Sequence, residues 1–200
     1  YMNLLLTRSL LFLGIVVKRE NKKEIPINRT VIIVSNHQSL FDIPPIIWYF
    51  RKHHIKFVSK KELGKGIPSV SYNLRHGGAA LIDRKDGKTA IIELGKFSKR
   101  INKNIWGAAI FPEGTRSRNG KPKAFSTNGL KTILKYNTEA VIVPISINNS
   151  WKVFKYGKFP LGLLTPITIY THDPIEANSM EQDALLALVE EKVKTNIHTD

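Results

Sequence analysis

From about Ile25 onward, short runs of β-branched residues alternate with stretches in which apolar residues recur every three or four positions. That rhythm predicts an α/β fold with a mostly parallel central sheet flanked by helices. Strands are expected at residues 30–35, 55–59, 79–82, 108–111, 140–147 and 166–171, with helices between them. Ala90, Ile91, Leu94, Phe97 and Ile101 form one apolar stripe, with Lys88, Lys96, Lys99 and Lys103 left to solvent. A last helix is expected over residues 182–197, with Leu185, Leu188 and Val189 inward and a Glu190–Lys194 pair outward.

The first 24 residues read differently. Residues 4–17 are apolar except for Thr7, Arg8, Ser9 and Gly14, and Lys18, Arg19, Lys22 and Lys23 follow directly. A spanning helix needs about 20 apolar residues, so this run predicts an interfacial helix, or the end of a span that begins upstream of Tyr1. A helix buried in the core is the plainer alternative. On a helical wheel Asn3, Thr7 and Gly14 share one narrow face, and no small-residue cleavage site follows the apolar run. The expected organisation is a membrane-associating segment, residues 1–24, followed by one domain, residues 25–200.

Composition narrows the classes. A chain of 200 residues with 42 % hydrophobic residues can fill one sizeable core, which excludes a disordered or collagen-like chain. The absence of cysteine excludes disulfide scaffolds, cysteine-ligated zinc, iron–sulfur clusters and thiol-based covalent catalysis. The formal charge of +15 is uneven: residues 1–158 carry 29 Lys or Arg against 9 acids, and residues 159–200 carry 2 against 7. Such a balance points to a polyanionic partner, nucleic acid or an anionic lipid surface, and charge alone does not choose between them.

Other signals carry less. Gly64-Lys65-Gly66 begins like a dinucleotide fingerprint, but Ser69 stands where the third glycine belongs, and neither a Walker A pattern nor HExxH occurs. His53-His54, in a basic stretch without acidic neighbours, reads as a solvated pair rather than a metal site. Trp151, Phe154, Tyr156 and Phe159 interleave with Lys152, Lys155 and Lys158, a pattern suited to base stacking, to a membrane interface or to a hairpin covering the core.

Three segments follow predicted strands, where open α/β sheets place their ligand sites. Asn36-His37-Gln38-Ser39-Leu40-Phe41-Asp42 follows the first strand. A carboxylate near a histidine can fix its tautomer and stabilise the imidazolium, preparing a general base, although Asp42 ahead of Ile43-Pro44-Pro45 can equally cap a helix. Phe111-Pro112-Glu113-Gly114-Thr115-Arg116-Ser117 suggests a tight turn that presents a carboxylate for a substrate hydroxyl and a guanidinium for phosphate, or else a plain surface ion pair. Gly78-Ala79-Ala80-Leu81-Ile82-Asp83-Arg84 ends in a charged pair, with Arg84 a further phosphate ligand or only strand-end polarity.

Together these segments resemble the glycerolipid acyltransferase family, most closely the bacterial 1-acyl-glycerol-3-phosphate acyltransferases. NHQSLFD is similar to the family's NHxSxxD block, FPEGTRS matches its acyl-acceptor block, and GAALIDR resembles an intermediate block in which Leu81 replaces a common aromatic. Val143-Pro144-Ile145 resembles the short apolar fourth block, and Lys60-Lys61-Glu62-Leu63 with Ile67-Pro68 resembles the intervening segment. The likeness runs from about residue 30 to 150.

The resemblance implies a glycerol-3-phosphate acyltransferase-like fold with an N-terminal membrane-associated helix. It implies transfer of an acyl group from coenzyme A or acyl carrier protein to lysophosphatidic acid, forming phosphatidic acid, with the thioester as co-substrate and no other cofactor or metal. His37 would be the base and Asp42 its orienting partner, with no covalent acyl-enzyme. Glu113, Gly114, Thr115 and Arg116 would hold the glycerol phosphate with help from Arg84, and Asn36 and Ser39 would support the histidine loop. The implied setting is the cytoplasmic face of a bacterial inner membrane, with an anionic membrane surface, rather than nucleic acid, as the polyanion. Two alternatives stay open: another acceptor, such as glycerol 3-phosphate or a different lysophospholipid, and a non-catalytic basic module binding anionic lipid or nucleic acid.

Overall fold

The computed structural model describes residues 1–66, 68–83 and 85–199, with the side chains of residues 68–70 left aside. Arg84, the second predicted phosphate ligand, and Ile67 lie outside the described residues. Eight strands form one sheet: β1 (Val17–Glu20), β2 (Val31–Ser35), β3 (Lys56–Lys60), β4 (Ala80–Ile82), β5 (Ala108–Ile110), β6 (Val141–Asn148), β7 (Ile167–Thr171) and β8 (Ile175–Glu176). Their order is β1-β7-β6-β2-β5-β3-β4, with β8 beside β6. Strands β2 to β6 are mutually parallel, β7 and β8 run antiparallel to β6, and β1 is parallel to β7.

All six predicted strands are present within a residue or so, and the sheet is mostly parallel as expected. The two unexpected strands lie at an edge and in a two-residue bridge, where few apolar side chains are needed. β1 falls inside the segment 1–24 and ties it to the sheet through β7.

Both faces of the sheet are covered, which is why β2 and β6 read as almost unbroken apolar runs rather than alternating ones. Ile32 and Val34 of β2 pack on one side with α4 (Gly87–Asn104), α5 (Thr127–Lys135) and α6 (Gln182–Thr195). Val31 and Ile33 pack on the other with Ile46 of α2 (Ile43–Tyr49) and with Leu10 and Ile15, which follow α1 (Met2–Ser9). The sixth helix, α3, spans Pro68–His76.

The helical stripes hold with exceptions at their borders. Leu94, Phe97 and Ile101 are buried on α4, whereas Ile91 is exposed and Ser98 is buried, its hydroxyl donating to Ile133 O at 2.7 Å. On α6 Leu186 is buried beside Leu185 and Val189, and Leu188 is only half-buried. Glu190 pairs with Lys194 as expected and also accepts from Phe125 N–H at 3.2 Å.

The N-terminal run does not continue as one helix. α1 ends at Ser9, a 3-10 turn covers Leu10–Leu13, and Gly14 leaves it at φ +68°. Thr7 faces inward, because its hydroxyl is satisfied by Asn3 O at 2.7 Å, while Leu5, Leu6, Leu11 and Phe12 face outward. Among the described residues, no helix is long and apolar enough to cross a membrane.

Candidate active site

The three central strands β6, β2 and β5 are parallel neighbours, so their carboxyl ends share one edge of the sheet. Each delivers one part of the site there: His37 just past β2, Phe111 and Glu113 just past β5, and Ser150 just past β6.

Asn36 directs the chain off β2. Its amide donates to Ile147 O at 2.8 Å and its carbonyl oxygen accepts from Ile147 N–H at 2.7 Å. A side chain thus continues the β2–β6 ladder by one step while the backbone turns away.

Beyond it Asp42 gathers the loop around one carboxylate. Oδ2 accepts from Gln38 N–H at 2.7 Å and Ser39 N–H at 2.9 Å, and lies 2.7 Å from His37 Nδ1. Ser39 closes the reciprocal cap by accepting from Phe41 N–H at 3.0 Å. Asp42 is therefore the third residue of a one-turn 3-10 segment, Leu40–Asp42, and makes no side-chain cap to α2, whose first turn takes Pro44 and Pro45 instead.

The second carboxylate oxygen, Oδ1, accepts from Ser150 Oγ, which also contacts Ser39 Oγ at 3.0 Å. Asp42 is fully buried. A buried charge needs several donors, and here two backbone amides, one hydroxyl and the imidazole supply them. With Nδ1 committed to Asp42, Nε2 is the ring nitrogen directed away from it, and the side chain keeps 16 % of its surface open. Phe111 stacks flat on the ring, centroids 4.1 Å apart, which fixes its plane.

The turn after β5 grips the same loop from the other side. Glu113 accepts from His37 N–H at 2.9 Å and from Lys123 N–H at 3.0 Å, and Ser117 N–H donates to His37 O at 2.7 Å. Gly114 sits at φ +70°, where a side chain would be strained, and its N–H closes the turn on Phe111 O. Burial pushes the Glu113 carboxyl above its ordinary range, against the two backbone donors that favour the ionised form.

Glu113 and Arg116, both expected to face substrate, part company. Glu113 turns inward as a clamp, whereas Arg116 and Thr115 are exposed, and Arg116 joins no ion pair among the described residues. Lys123, absent from the sequence-derived set, brings its ammonium to 2.7 Å from Thr115 Oγ1 and 3.2 Å from Arg116 O. Gly78–Asp83 lies on and around the edge strand β4, two strands beyond β5.

Ser150 is the other missed residue. Nothing in its own sequence marks it beyond its place just after a strand. The expected solvated histidine pair divides: His53 is buried, and His54 is exposed at φ +48°. Among the described residues no three His, Asp or Glu side chains converge in a way that would hold a metal.

This constellation and fold define a class. The family model described as Acyltransferase matches residues 16–148, and the chain belongs to that family. It is 36 % identical over 126 residues to the 1-acyl-sn-glycerol-3-phosphate acyltransferase of Helicobacter pylori, covering 62 % of this chain and 50 % of that protein. It is 28 % identical to the Borreliella burgdorferi protein of the same name, covering 96 % of this chain and 75 % of that one. The crystal structure of the 1-acyl-sn-glycerophosphate (LPA) acyltransferase PlsC from Thermotoga maritima superposes with a TM-score of 0.80 at 29 % identity, over 97 % of this chain and 76 % of that one. The chain spans about half the length of relatives such as those from Helicobacter pylori and Cocos nucifera.

Proposed function

We propose that the protein transfers a fatty acyl group from a thioester to the free hydroxyl of 1-acyl-glycerol-3-phosphate, forming phosphatidic acid. The observation that carries this reading is the His37–Asp42 pair, held at 2.7 Å with Nε2 facing outward, beside the turn that presents Arg116.

The hydroxyl proton passes to His37 Nε2 as its oxygen attacks the thioester carbonyl carbon. Proton abstraction by a positioned base such as His37 contributes about 10² to 10⁴ in rate, and the buried Asp42 carboxylate orients the ring and stabilises the resulting imidazolium. The tetrahedral intermediate collapses, the carbon–sulfur bond breaks, and the departing thiolate takes the proton back from Nε2. His37 ends neutral, and no acyl-enzyme forms.

Arg116 holds the acceptor phosphate, and Thr115 flanks it. Glu113, Gly114, Asn36 and Ser39 position the two loops, and Arg84 remains a candidate second phosphate ligand. The donor is acyl coenzyme A or acyl carrier protein, and no further cofactor or metal takes part. The +15 charge and the apolar residues of segment 1–24 support work at an anionic membrane, at the cytoplasmic face of a bacterial inner membrane.

The test is to incubate protein with lysophosphatidic acid and long-chain acyl coenzyme A or acyl carrier protein, and to quantify phosphatidic acid by mass spectrometry beside His37→Ala. Product from the wild type alone is expected. No product with either donor would overturn the acceptor assignment, and glycerol 3-phosphate and other lysophospholipids would be tried next. Equal turnover by His37→Ala would overturn the mechanism.

A further inference from the structure

The connection from the Ser150–Phe154 turn to β7 leaves Phe159, Leu163 and Leu164 exposed by 87, 59 and 78 %. This is built structure rather than slack chain. Gly162 N–H donates to Val153 O at 2.9 Å, and a Cβ at Gly162 would stand 2.1 Å from Lys152 O, so the loop folds back through a position that admits no side chain. Leu161 turns inward onto the core that holds Val153. The loop thus has an inward apolar position, already filled, and keeps its other large apolar groups outside.

That outer surface joins the N-terminal one. Leu164 N–H donates to Leu13 O at 3.0 Å, and the Leu164 side chain covers Gly14, whose Cβ would fall 2.4 Å from Leu164 Cδ2. Next to this contact Phe12 is 94 % exposed and Leu11 55 %. Two segments far apart in the sequence therefore meet edge to edge, both apolar side outward.

Charge says what covers this surface. Lys155 and Lys158 are exposed on the same loop, with Lys155 Nζ 5.7 Å from the exposed Tyr156 ring, and no acid stands between residues 140 and 172. An apolar centre flanked by lysines and an amphipathic aromatic fits acyl chains beneath anionic headgroups.

We propose that the 155–164 loop is a second membrane-entry element, placing Phe159, Leu163 and Leu164 in an anionic leaflet alongside the Leu11–Phe12 turn. The loop starts at the site: Ser150 bonds Asp42, and Phe154 stacks on Phe41 at 5.8 Å. The His37–Asp42 pair then opens close to the leaflet surface. Only this last consequence rests on the acyltransferase reading.

The test is co-sedimentation with vesicles of phosphatidylcholine and phosphatidylglycerol, compared with phosphatidylcholine alone. Phe159→Asp combined with Leu164→Asp should weaken binding at least about tenfold at unchanged thermal midpoint, whereas Ile91→Asp on α4 should leave it unchanged. Lys155→Ala and Lys158→Ala should each cost about fivefold on the anionic vesicles and nothing on the neutral ones. Equal binding by the double aspartate variant would overturn the proposal. So would a vesicle-free dimer that this variant disperses while vesicle binding stays intact, since the surface would then belong to a second copy. His37→Ala should bind vesicles like the wild type, so binding is read independently of turnover.

Discussion

Ser150 Oγ and His37 Nδ1 hold opposite oxygens of the Asp42 carboxylate, the serine on Oδ1 and the imidazole on Oδ2. The carboxylate is thereby fixed in rotation as well as in place, and the histidine ring inherits that orientation. Removing the hydroxyl leaves one oxygen of a buried carboxylate short of its donor. Ser150→Ala is expected to lower kcat about tenfold with little change in KM, and Ser150→Thr to restore most of it. Steady-state kinetics on both variants check this.

Asn36 replaces a backbone step in the β2–β6 ladder, so its truncation leaves the buried N–H and C=O of Ile147 without partners. Each orphaned group costs about 1–3 kcal/mol. Asn36→Ala should lose about 2–4 kcal/mol in a urea melt, and activity should fall with it because the same residue starts the His37 loop.

Arg116 and Lys123 share the rim of the turn after β5, with the lysine ammonium resting on the arginine's own carbonyl oxygen. A charge-assisted bond to phosphate contributes about 1.5–3 kcal/mol. Arg116→Ala is expected to raise the KM for lysophosphatidic acid about tenfold or more, and Arg116→Lys to recover it only in part, because one ammonium does not make a bidentate contact. Lys123→Ala should show a smaller rise. An unchanged KM in Arg116→Ala would remove the arginine from the acceptor site.

Two buried histidines make the fold sensitive to acid. Burial holds His53 and His172 below the ordinary value of 6.5, with Arg19, His54 and Lys52 acting in the same direction on His53 and Lys192 on His172, where Asp173 partly opposes. The native state is therefore neutral where the unfolded chain already binds protons. This contribution to stability is complete above pH 6.5 and is lost as the pH falls from there toward the folded-state values. Urea midpoints should drop between pH 7.5 and pH 5.5. His172→Gln keeps a donor for Ser146, which His172 Nε2 approaches at 2.7 Å, and should flatten part of that slope.

The central strands were legible because burial on both faces leaves long β-branched runs, as at Val31–Ser35 and Val141–Asn148. β1 was not, since Val17-Lys18-Arg19-Glu20 is an edge strand with a single strongly apolar position. Periodicity gave the faces of α4 and α6 but not their borders, so Ile91 and Leu188 were placed too deep. The motif letters drew attention to His37, Asp42, Glu113 and Arg116, and distances then divided their work, turning Glu113 inward as a clamp. Ser150 and Lys123 enter the site only because β6 ends beside β2 and because the 113–126 turn folds back on itself. Those are facts of topology, which no local pattern records.

That fold-back has a further consequence. Glu113 takes the N–H of Lys123 while Pro112 O takes that of Ser126, so the nine residues 114–122 form a loop cinched at its own neck by two rungs. Glu113, at the neck, also grips His37 N–H, and Ser117, on the noose itself, donates its N–H to His37 O at 2.7 Å, so His37 is anchored both at the neck and along the loop. The noose carries Thr115 and Arg116. Asn119 accepts from Ser117 Oγ at 3.1 Å and from Lys121 N–H at 3.2 Å and so braces the Ser117 anchor, whereas the side chains of Arg118 and Lys121 are exposed and can be exchanged without pulling on the histidine. In engineering terms Arg118 and Lys121 are the exchangeable positions of the noose, through which preference among phosphate-bearing acceptors is expected to be rewritten while the His37–Asp42 pair stays as it is.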